Sequence, residues 1–165
     1  MSAPLAGLHA LITGAGRGIG AAITRTLADA GADVSLLGRS RPDLERLAGE
    51  LPAVRSSCQA ADVADGESVR AAVAAARNAL GPIAILVNNA GQAHSAPLGG
   101  TSDALWHSVL AVNLTGTFLC MRECLPDMVK AGFGRIVNIA STAGLVGYPY
   151  VSAYCASKHG VIGLT

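Results

Sequence analysis

Short apolar runs alternate with amphipathic, helix-like segments along almost the whole 165-residue chain. Runs of four to eight apolar residues are typical of buried strands, whereas apolar residues three or four positions apart are typical of helices. Strands that are separated by helices cannot pair as hairpins, so they form parallel sheets whose two faces are covered. We therefore predict an α/β fold built on a doubly wound parallel sheet.

The alternation predicts the elements of this sheet and the helices between them. Strands are expected at residues 8–13, 33–38, 54–61, 83–87 and 136–140. Helices are expected at residues 21–30, 42–51, 65–80, 102–112, 113–130 and 151–165. No repeat, low-complexity segment or interdomain linker interrupts residues 1–165, which we interpret as a single domain.

Composition excludes several classes of function. The net charge is +1 and no basic block occurs, so we expect neither nucleic acid nor another polyanion as a partner. Residues 1–20 lack the basic and apolar regions of a signal peptide. No unbroken apolar run reaches the ~18 residues that indicate a membrane span, so we expect no membrane partner.

The four cysteines indicate a reducing compartment, because none belongs to a Cys-x-x-Cys pair. Cys120 and Cys124 lie one helical turn apart, a spacing that permits a shared metal ion. With no second ligand pair nearby, we interpret both as small buried apolar residues and expect no metal site. We expect a cytoplasmic protein.

A glycine-rich loop follows the first predicted strand and opens the first predicted helix. It reads Thr13-Gly14-x-x-x-Gly18-x-Gly20, and Ile19 prevents a match to the common Gly-x-Gly-x-x-Gly spacing counted from Gly14. Backbone amides at a helix N-terminus bind phosphate, and glycines let a pyrophosphate approach closely. We predict a nucleotide phosphate site here, the alternative being a glycine-rich turn that binds no ligand.

Further polar motifs fall at the ends of later predicted strands. Asp62 follows the third strand, Asn88-Asn89-Ala90-Gly91 follows the fourth, and Ser141 follows the fifth. Because ligands of doubly wound sheets bind at the carboxyl ends of the strands, these motifs and the glycine loop should form one site.

Tyr154 and Lys158 are four residues apart in the last predicted helix, and thus share one face of it. A cation so close favours the phenolate and lowers the pKa of the tyrosine from about 10. Such a tyrosine can pass a proton to or from a substrate oxygen. The alternative is an exposed Tyr-Lys pair on an ordinary helix.

Together these motifs resemble the short-chain dehydrogenase/reductase family. The resemblance extends from Leu8 to Thr165 and includes, in order, Thr13-Gly14-x-x-x-Gly18-x-Gly20, Asp62, Asn88-Asn89-Ala90-Gly91, Asn113, Ser141 and Tyr154-x-x-x-Lys158. Residues 132–141 and 154–160 are similar to those of 3-oxoacyl-thioester and polyketide ketoreductases. The resemblance implies a Rossmann fold, an NAD(P) cofactor, a small-molecule substrate and a homodimer or homotetramer.

The family's residue roles carry over to matching positions of this chain. Expected cofactor-binding residues are Gly14, Arg17, Gly18, Ile19, Gly20, Arg39, Asp62, Val63, Asn89, Ala90, Gly91, Tyr154 and Lys158. Expected catalytic residues are Asn113, Ser141, Tyr154 and Lys158. Tyr154 would protonate the carbonyl oxygen, Ser141 would hydrogen-bond it, and Lys158 would serve the tyrosine and the nicotinamide ribose. Asn113 would hold a water that connects Lys158 to solvent.

The choice between NADP and NAD depends on the end of the second strand. An NAD site usually has an acidic residue about 20 positions after the glycines, where this chain has Gly38-Arg39. Arg39 can pair with a 2′-phosphate, and Arg17 in the glycine loop can assist it. We therefore favour NADPH over NAD as the cofactor, and with it the reduction of a carbonyl. The alternative is that Arg17 and Arg39 are ordinary surface residues.

Two alternatives remain open. One is a secondary-alcohol or sugar dehydrogenase that works in the oxidative direction, and the other is a nucleotide-binding protein without turnover. Family members usually continue beyond the helix that carries Lys158, with a further strand and a substrate-covering loop. We therefore expect that a C-terminal part, which selects the substrate, is missing after Thr165.

Overall fold

A computed structural model describes residues 3–51 and 53–165, so that Met1, Ser2 and Pro52 lie outside the description. The strands are β1 His9–Thr13, β2 Asp33–Gly38, β3 Ser56–Ala60, β4 Ile85–Asn88 and β5 Arg135–Asn138. The α-helices are α1 Gly18–Asp29, α2 Arg41–Ala48, α3 Gly66–Leu80, α4 Asp103–Leu110, α5 Gly116–Ala131 and α6 Ser152–Leu164. Short 3-10 helices span Leu98–Gly100 and Thr142–Gly144.

The strands form one parallel sheet in the order β3-β2-β1-β4-β5. Successive side chains of a strand point to opposite faces. In β1, Ala10 and Ile12 pack in a cluster with residues of α1 and α2, whereas Leu11 packs with residues of α3 and α5. The sheet is therefore wound on both faces, which confirms the predicted fold class.

The edge strands differ from the expectation that every strand is apolar and buried on both sides. β1 and β4 are buried throughout, whereas Ser56 and Ala60 of β3 and Arg135 and Val137 of β5 are exposed. An edge strand has a neighbour on only one side, and this accounts for its exposed residues.

One long helical stretch replaces the two helices predicted at 102–112 and 113–130. Helix α4 continues into a π-helical turn, Ala111–Thr115, and then into α5 without a break. Asn113 lies inside this wider turn, and such π turns are frequent at functional sites.

The stretch Asp103–Ala131 also meets the length and hydropathy criteria of a membrane span, with a third of its most apolar window buried. This differs from the expectation that was based on unbroken apolar runs, since charged residues such as Arg122 interrupt the sequence. Core helices of globular domains satisfy the same criteria, and Cys120, Cys124 and Met128 of this stretch pack in the core beneath the sheet. The stretch therefore gives no reason to assign it to a membrane.

Cys120 and Cys124 are completely buried in that core, as predicted for small apolar residues. Burial raises the pKa of the Cys120 thiol to about 12, and the pKa of Cys124 is raised for the same reason. Both therefore remain protonated at neutral pH and are poor ligands or nucleophiles.

A buried histidine fastens the amino-terminal end of the sheet, away from the glycine loop. His9 Nδ1 lies 2.8 Å from the Gly81 carbonyl oxygen, and Nε2 lies 2.8 Å from Ser35 Oγ. A carbonyl only accepts, so Nδ1 donates to it and Nε2 of the neutral ring accepts from the serine. His9 is 3% exposed, and burial lowers its pKa, outweighing the Gly81 bond and the nearby carboxylates of Asp33 and Asp127.

We expect acid to destabilise the fold through His9. A folded-state pKa below the ordinary 6.5 means that the stabilisation is complete above about pH 6.5 and is lost as the pH falls towards the folded value. His9→Gln cannot titrate, so urea denaturation should show a shallower loss of stability with falling pH. At neutral pH this variant should be about 1–3 kcal/mol less stable, since its buried hydrogen bonds are disturbed.

The exposed His107 provides the control. His107→Gln should keep both the stability and the pH dependence of the unmodified protein. An unchanged pH dependence in His9→Gln would show that other groups cause the acid sensitivity.

Candidate active site

The glycine loop forms an uncapped helix N-terminus. Gly14 and Gly18 have φ values of +64° and +55°, a region that favours glycine. Helix α1 begins at Gly18, its N-cap Arg17 makes no side-chain capping bond, and its first turn has no acidic residue. The amides of this turn are thus available to an anion, with the helix dipole in the favourable direction.

Asn89 holds the glycine loop against the end of β4. Thr13 Oγ1 accepts hydrogen bonds from the backbone amides of Asn89 and Ala90, each at 3.0 Å. The Asn89 side chain donates in return to the Thr13 and Gly14 carbonyl oxygens at 3.0 and 3.2 Å. Asn89 therefore fixes the distance between the glycine loop and the loop that follows β4.

Gly20 serves packing at this junction. A Cβ atom at Gly20 would stand 2.6 Å from Asn89 Nδ2 and would also collide with the Gly14 carbonyl. Unlike Gly14 and Gly18, Gly20 does not line the neighbouring cleft. Its absent side chain lets α1 approach the loop.

A cleft of about 460 Å³ opens at the carboxyl ends of β1, β2 and β4. Its lining includes these predicted site residues: Gly14, Arg17, Gly18, Ile19, Arg39, Asp62, Val63, Asn89, Ala90 and Gly91. It also includes residues that the sequence analysis missed: Gly16, Gly38, Ser40, Asp43, Leu44, Ala61, Gln92 and Val112. Gly38 and Ala61 end predicted strands and Ser40 lies two positions beyond one, so the strand-end rule is a signal for these three.

A second cleft of about 260 Å³ adjoins the first. It is lined by Ile19, Asn89, Gly91, Gln92, Ala93, Ile139, Ala140, Tyr154 and Lys158. Ile19, Asn89, Gly91 and Gln92 line both clefts, so the two are continuous. The structure thus brings Tyr154 and Lys158 to the glycine-loop site.

Lys158 is a buried cation beside the Tyr154 ring. Its Nζ lies 5.7 Å from the centre of that ring and donates to the Ile139 carbonyl oxygen at 2.6 Å. Only 5% of Lys158 is exposed, and burial lowers its pKa. Tyr154 and Lys158 thus share one face of α6, as predicted.

Ser141 follows β5 and caps a 3-10 helix, Thr142–Gly144. Its Oγ accepts from the Ala143 backbone amide at 3.2 Å, which leaves the hydroxyl proton to donate elsewhere. Ala140, the residue before it, lines the second cleft. Ser141 therefore lies at the border of the cleft that contains Tyr154.

Asn113 occupies the π turn and is 1% exposed. Its Oδ1 accepts from the Gln92 backbone amide at 2.8 Å, and its Nδ2 donates to the Gln92 carbonyl oxygen at 2.9 Å. The same Nδ2 donates to Ser157 Oγ at 3.0 Å. The side chain of Asn113 thus makes no hydrogen bond with Lys158 within residues 3–51 and 53–165, and a water between them stays a prediction.

Comparison with known proteins gives the family. The model of the short chain dehydrogenase family matches residues 8–165. The chain belongs to the short-chain dehydrogenase family. Its match covers every site motif described above, from the glycine loop to Lys158.

Known short-chain dehydrogenases are closely similar to this chain. The D-threitol dehydrogenase of Mycolicibacterium smegmatis is 45% identical, over 98% of this chain and 63% of its own length. "Granaticin polyketide synthase putative ketoacyl reductase 1" of Streptomyces violaceoruber is 45% identical, over 94% of this chain and 59% of its own length. This similarity supports the predicted resemblance to polyketide ketoreductases.

A solved structure matches the whole chain. The "putative short-chain alcohol dehydrogenase" of Sinorhizobium meliloti is 38% identical and superimposes with a TM-score of 0.96 over all of this chain and 66% of its own. The chain thus spans about 60% of the curated relatives and two thirds of this structure.

The family uses an NAD(P) nucleotide, and the geometry of this site fits one. The uncapped N-terminus of α1 suits a pyrophosphate, and a Cβ atom added at Gly18 would point into open space. Arg17 and Arg39 line the same cleft, and neither pairs with a carboxylate among the described residues. Asp62 accepts from the Ala64 amide at 3.0 Å, a local turn that fixes the cleft wall.

Proposed function

We propose that the full-length protein is an NADPH-dependent reductase that converts a ketone to a secondary alcohol, with 3-oxoacyl thioesters among the candidate substrates. The observation that carries the proposal is the placement of Tyr154 and buried Lys158 in a cleft continuous with the glycine-loop cleft. Such a reaction requires a proton donor next to the site that binds the nucleotide.

In this proposal Tyr154 gives its phenolic proton to the carbonyl oxygen of the substrate. Ser141 donates a second hydrogen bond to that oxygen, where negative charge develops during the reaction. Lys158 stabilises the phenolate that remains on Tyr154. Bound NADPH supplies the hydride that completes the reduction at the carbonyl carbon.

Tyr154 must regain a proton after each turnover. Solvent is the final source, and a water held near Asn113 is the proposed route by which the proton reaches Lys158 and then the phenol. The Lys158–Ile139 bond keeps the ammonium at the place where this transfer would occur.

Oxidation of a secondary alcohol or sugar alcohol is the second candidate. The similarity to D-threitol dehydrogenase favours it, because that relative is as similar to this chain as the ketoacyl reductase is. The same Tyr154 would then accept a proton rather than give one. Initial rates with ketones and NADPH, compared with sugar alcohols and NADP or NAD, distinguish the two directions.

NADPH is proposed to bind more tightly than NADH, because Arg17 and Arg39 line the cleft and pair with no carboxylate among the described residues. Arg39→Asp replaces a phosphate partner with a repelling charge, so it should weaken NADPH binding and reverse the preference. Charged hydrogen bonds contribute about 1.5–3 kcal/mol, which corresponds to roughly 10- to 100-fold in affinity. Fluorescence titration with both cofactors measures this directly.

Arg41→Asp is the matched control, because Arg41 pairs with Glu45 and does not line the cleft. It should bind both cofactors like the unmodified protein. Tighter binding of NADH than of NADPH by the unmodified protein would contradict the proposed preference.

Loss of the Tyr154 hydroxyl should nearly abolish turnover. Tyr154→Phe keeps the ring and removes the proton donor, and general acid catalysis is typically worth roughly 10²–10⁴-fold. NADPH binding should persist, because the glycine loop and Lys158 are unchanged. Steady-state kinetics with a ketone panel, together with cofactor titration, give both readings.

Tyr148→Phe is the comparison variant, since the exposed Tyr148 hydroxyl donates to Thr142 at 3.2 Å. It should retain most activity. If Tyr154→Phe does so as well, Tyr154 is not the acid. A wild-type protein that binds NADPH but turns over neither ketones nor alcohols would indicate the non-catalytic alternative.

The full-length protein is also proposed to be a cytoplasmic homodimer or homotetramer. Phe118, Leu125 and Val129 of α5 are 45%, 48% and 71% exposed, an apolar surface that association would cover. The four cysteines are unpaired, in keeping with a reducing compartment. Analytical ultracentrifugation should give a dimer or tetramer that Leu125→Asp weakens, and a monomer at every concentration would contradict this.

A further inference from the structure

The structure contains a buried hydroxyl at the active site that the proposed mechanism does not use. Ser157, the residue before Lys158, is completely buried. Its Oγ donates to the Tyr154 carbonyl oxygen at 2.7 Å and accepts from Asn113 Nδ2 at 3.0 Å. One serine thus joins the backbone of the proposed acid to the π turn of another element.

The Asn113 side chain that reaches Ser157 makes three hydrogen bonds within the described part of the chain. Its two Nδ2 protons are used by the Gln92 carbonyl and by Ser157, while its Oδ1 accepts the Gln92 amide. Because Oδ1 faces an N–H and Nδ2 faces a C=O, the amide orientation is determined by its partners. Gln92 itself lines both clefts, so the chain of bonds runs from the cleft wall to Tyr154.

Helix α6 packs closely on the π turn and also contacts α4. A Cβ atom added at Gly160 would stand 2.7 Å from a methyl carbon of Leu114, the residue after Asn113. Ser157 lies one turn before Gly160 on α6, and its hydroxyl meets the Asn113 side chain in this packed contact.

We propose that Ser157 is a positioning residue, which holds the turn of α6 bearing Tyr154 and Lys158 at a fixed place relative to Asn113. Its kinetic consequences rest on the proposed function, whereas its effect on the Asn113 side-chain amide does not require turnover. A serine that merely bonds back to its own helix would affect neither, since back-bonding to a carbonyl three residues earlier is a local event.

Ser157→Ala in the full-length protein tests the proposal. It removes both bonds and leaves Asn113 Nδ2 with a proton that has no buried acceptor. We expect kcat to fall roughly 10- to 100-fold, because displacements near 1 Å have effects of this size, with little change in NADPH affinity. Ser157→Thr, which keeps the hydroxyl, should recover most of the lost kcat.

Ser152→Ala is the matched control on the same helix. Ser152 Oγ is buried and has no hydrogen-bond partner within the described part of the chain. Its removal should leave kcat unchanged. Equal kcat values for Ser157→Ala and the unmodified protein would overturn the proposal, as would equal losses in Ser157→Ala and Ser157→Thr with native cofactor binding.

The Asn113 side-chain amide gives a reading independent of activity. Its Nδ2 proton that faces Ser157 should exchange with solvent faster in Ser157→Ala than in the unmodified protein, because the buried acceptor is removed. Unchanged exchange in Ser157→Ala would overturn the proposal. Absence of turnover in the unmodified protein would instead refute the proposed function and leave this reading valid.

If Ser157→Ala does not fold, the unmodified protein decides the question. Both Asn113 side-chain amide protons should exchange with solvent more slowly than those of Asn78 on α3, as measured by nuclear magnetic resonance. Rapid exchange of the Asn113 proton that faces Ser157 would show that this bond is not maintained in solution, and this would overturn the proposal.

Discussion

The hydrogen bonds between Thr13 and Asn89 are the constraint on which both clefts depend. Parallel strands bring the ends of β1 and β4 to the same edge of the sheet, but strand pairing alone leaves the loops beyond them undefined. Asn89 removes that freedom by using its backbone amide and its side-chain amide on the same short segment. The glycine-rich loop is thus held in place by hydrogen bonds from a second loop.

A second connection joins this cofactor half of the site to the catalytic helix. Gln92 follows the Asn89 loop, and the Asn113 side chain hydrogen-bonds the Gln92 backbone. Asn113 also donates a hydrogen bond to Ser157, which belongs to α6. The π turn Ala111–Thr115 lies between α4 and α5. If this turn were a regular α-helical turn, the residues of α5 would point in different directions relative to α4. The wider turn thus places Asn113 where it can hydrogen-bond both Gln92 and Ser157.

The sequence predicts those parts of the molecule that depend on order along the chain. Alternating apolar runs indicate the sheet, and the strand-end rule assigns the glycine loop, Asn89 and Ser141 to one site. What it misses depends on packing between elements. Asp43 lines the first cleft because Gly16 lets α2 approach, and no local pattern marks it. The π turn was predicted as a helix break, since composition does not distinguish a widened turn from an interrupted helix.

Burial of Lys158 changes the electrostatics of the site. An ammonium with 5% exposure has lost most of its hydration, and a single carbonyl oxygen, that of Ile139, is its hydrogen-bond partner among the described residues. Such a charge raises the free energy of the folded site, and it lowers the free energy of any anion that forms beside it. Tyr154 is the nearest group able to become that anion. A carboxylate partner for Lys158 would stabilise the resting protein, but it would cancel the field that a proton-donating phenol requires.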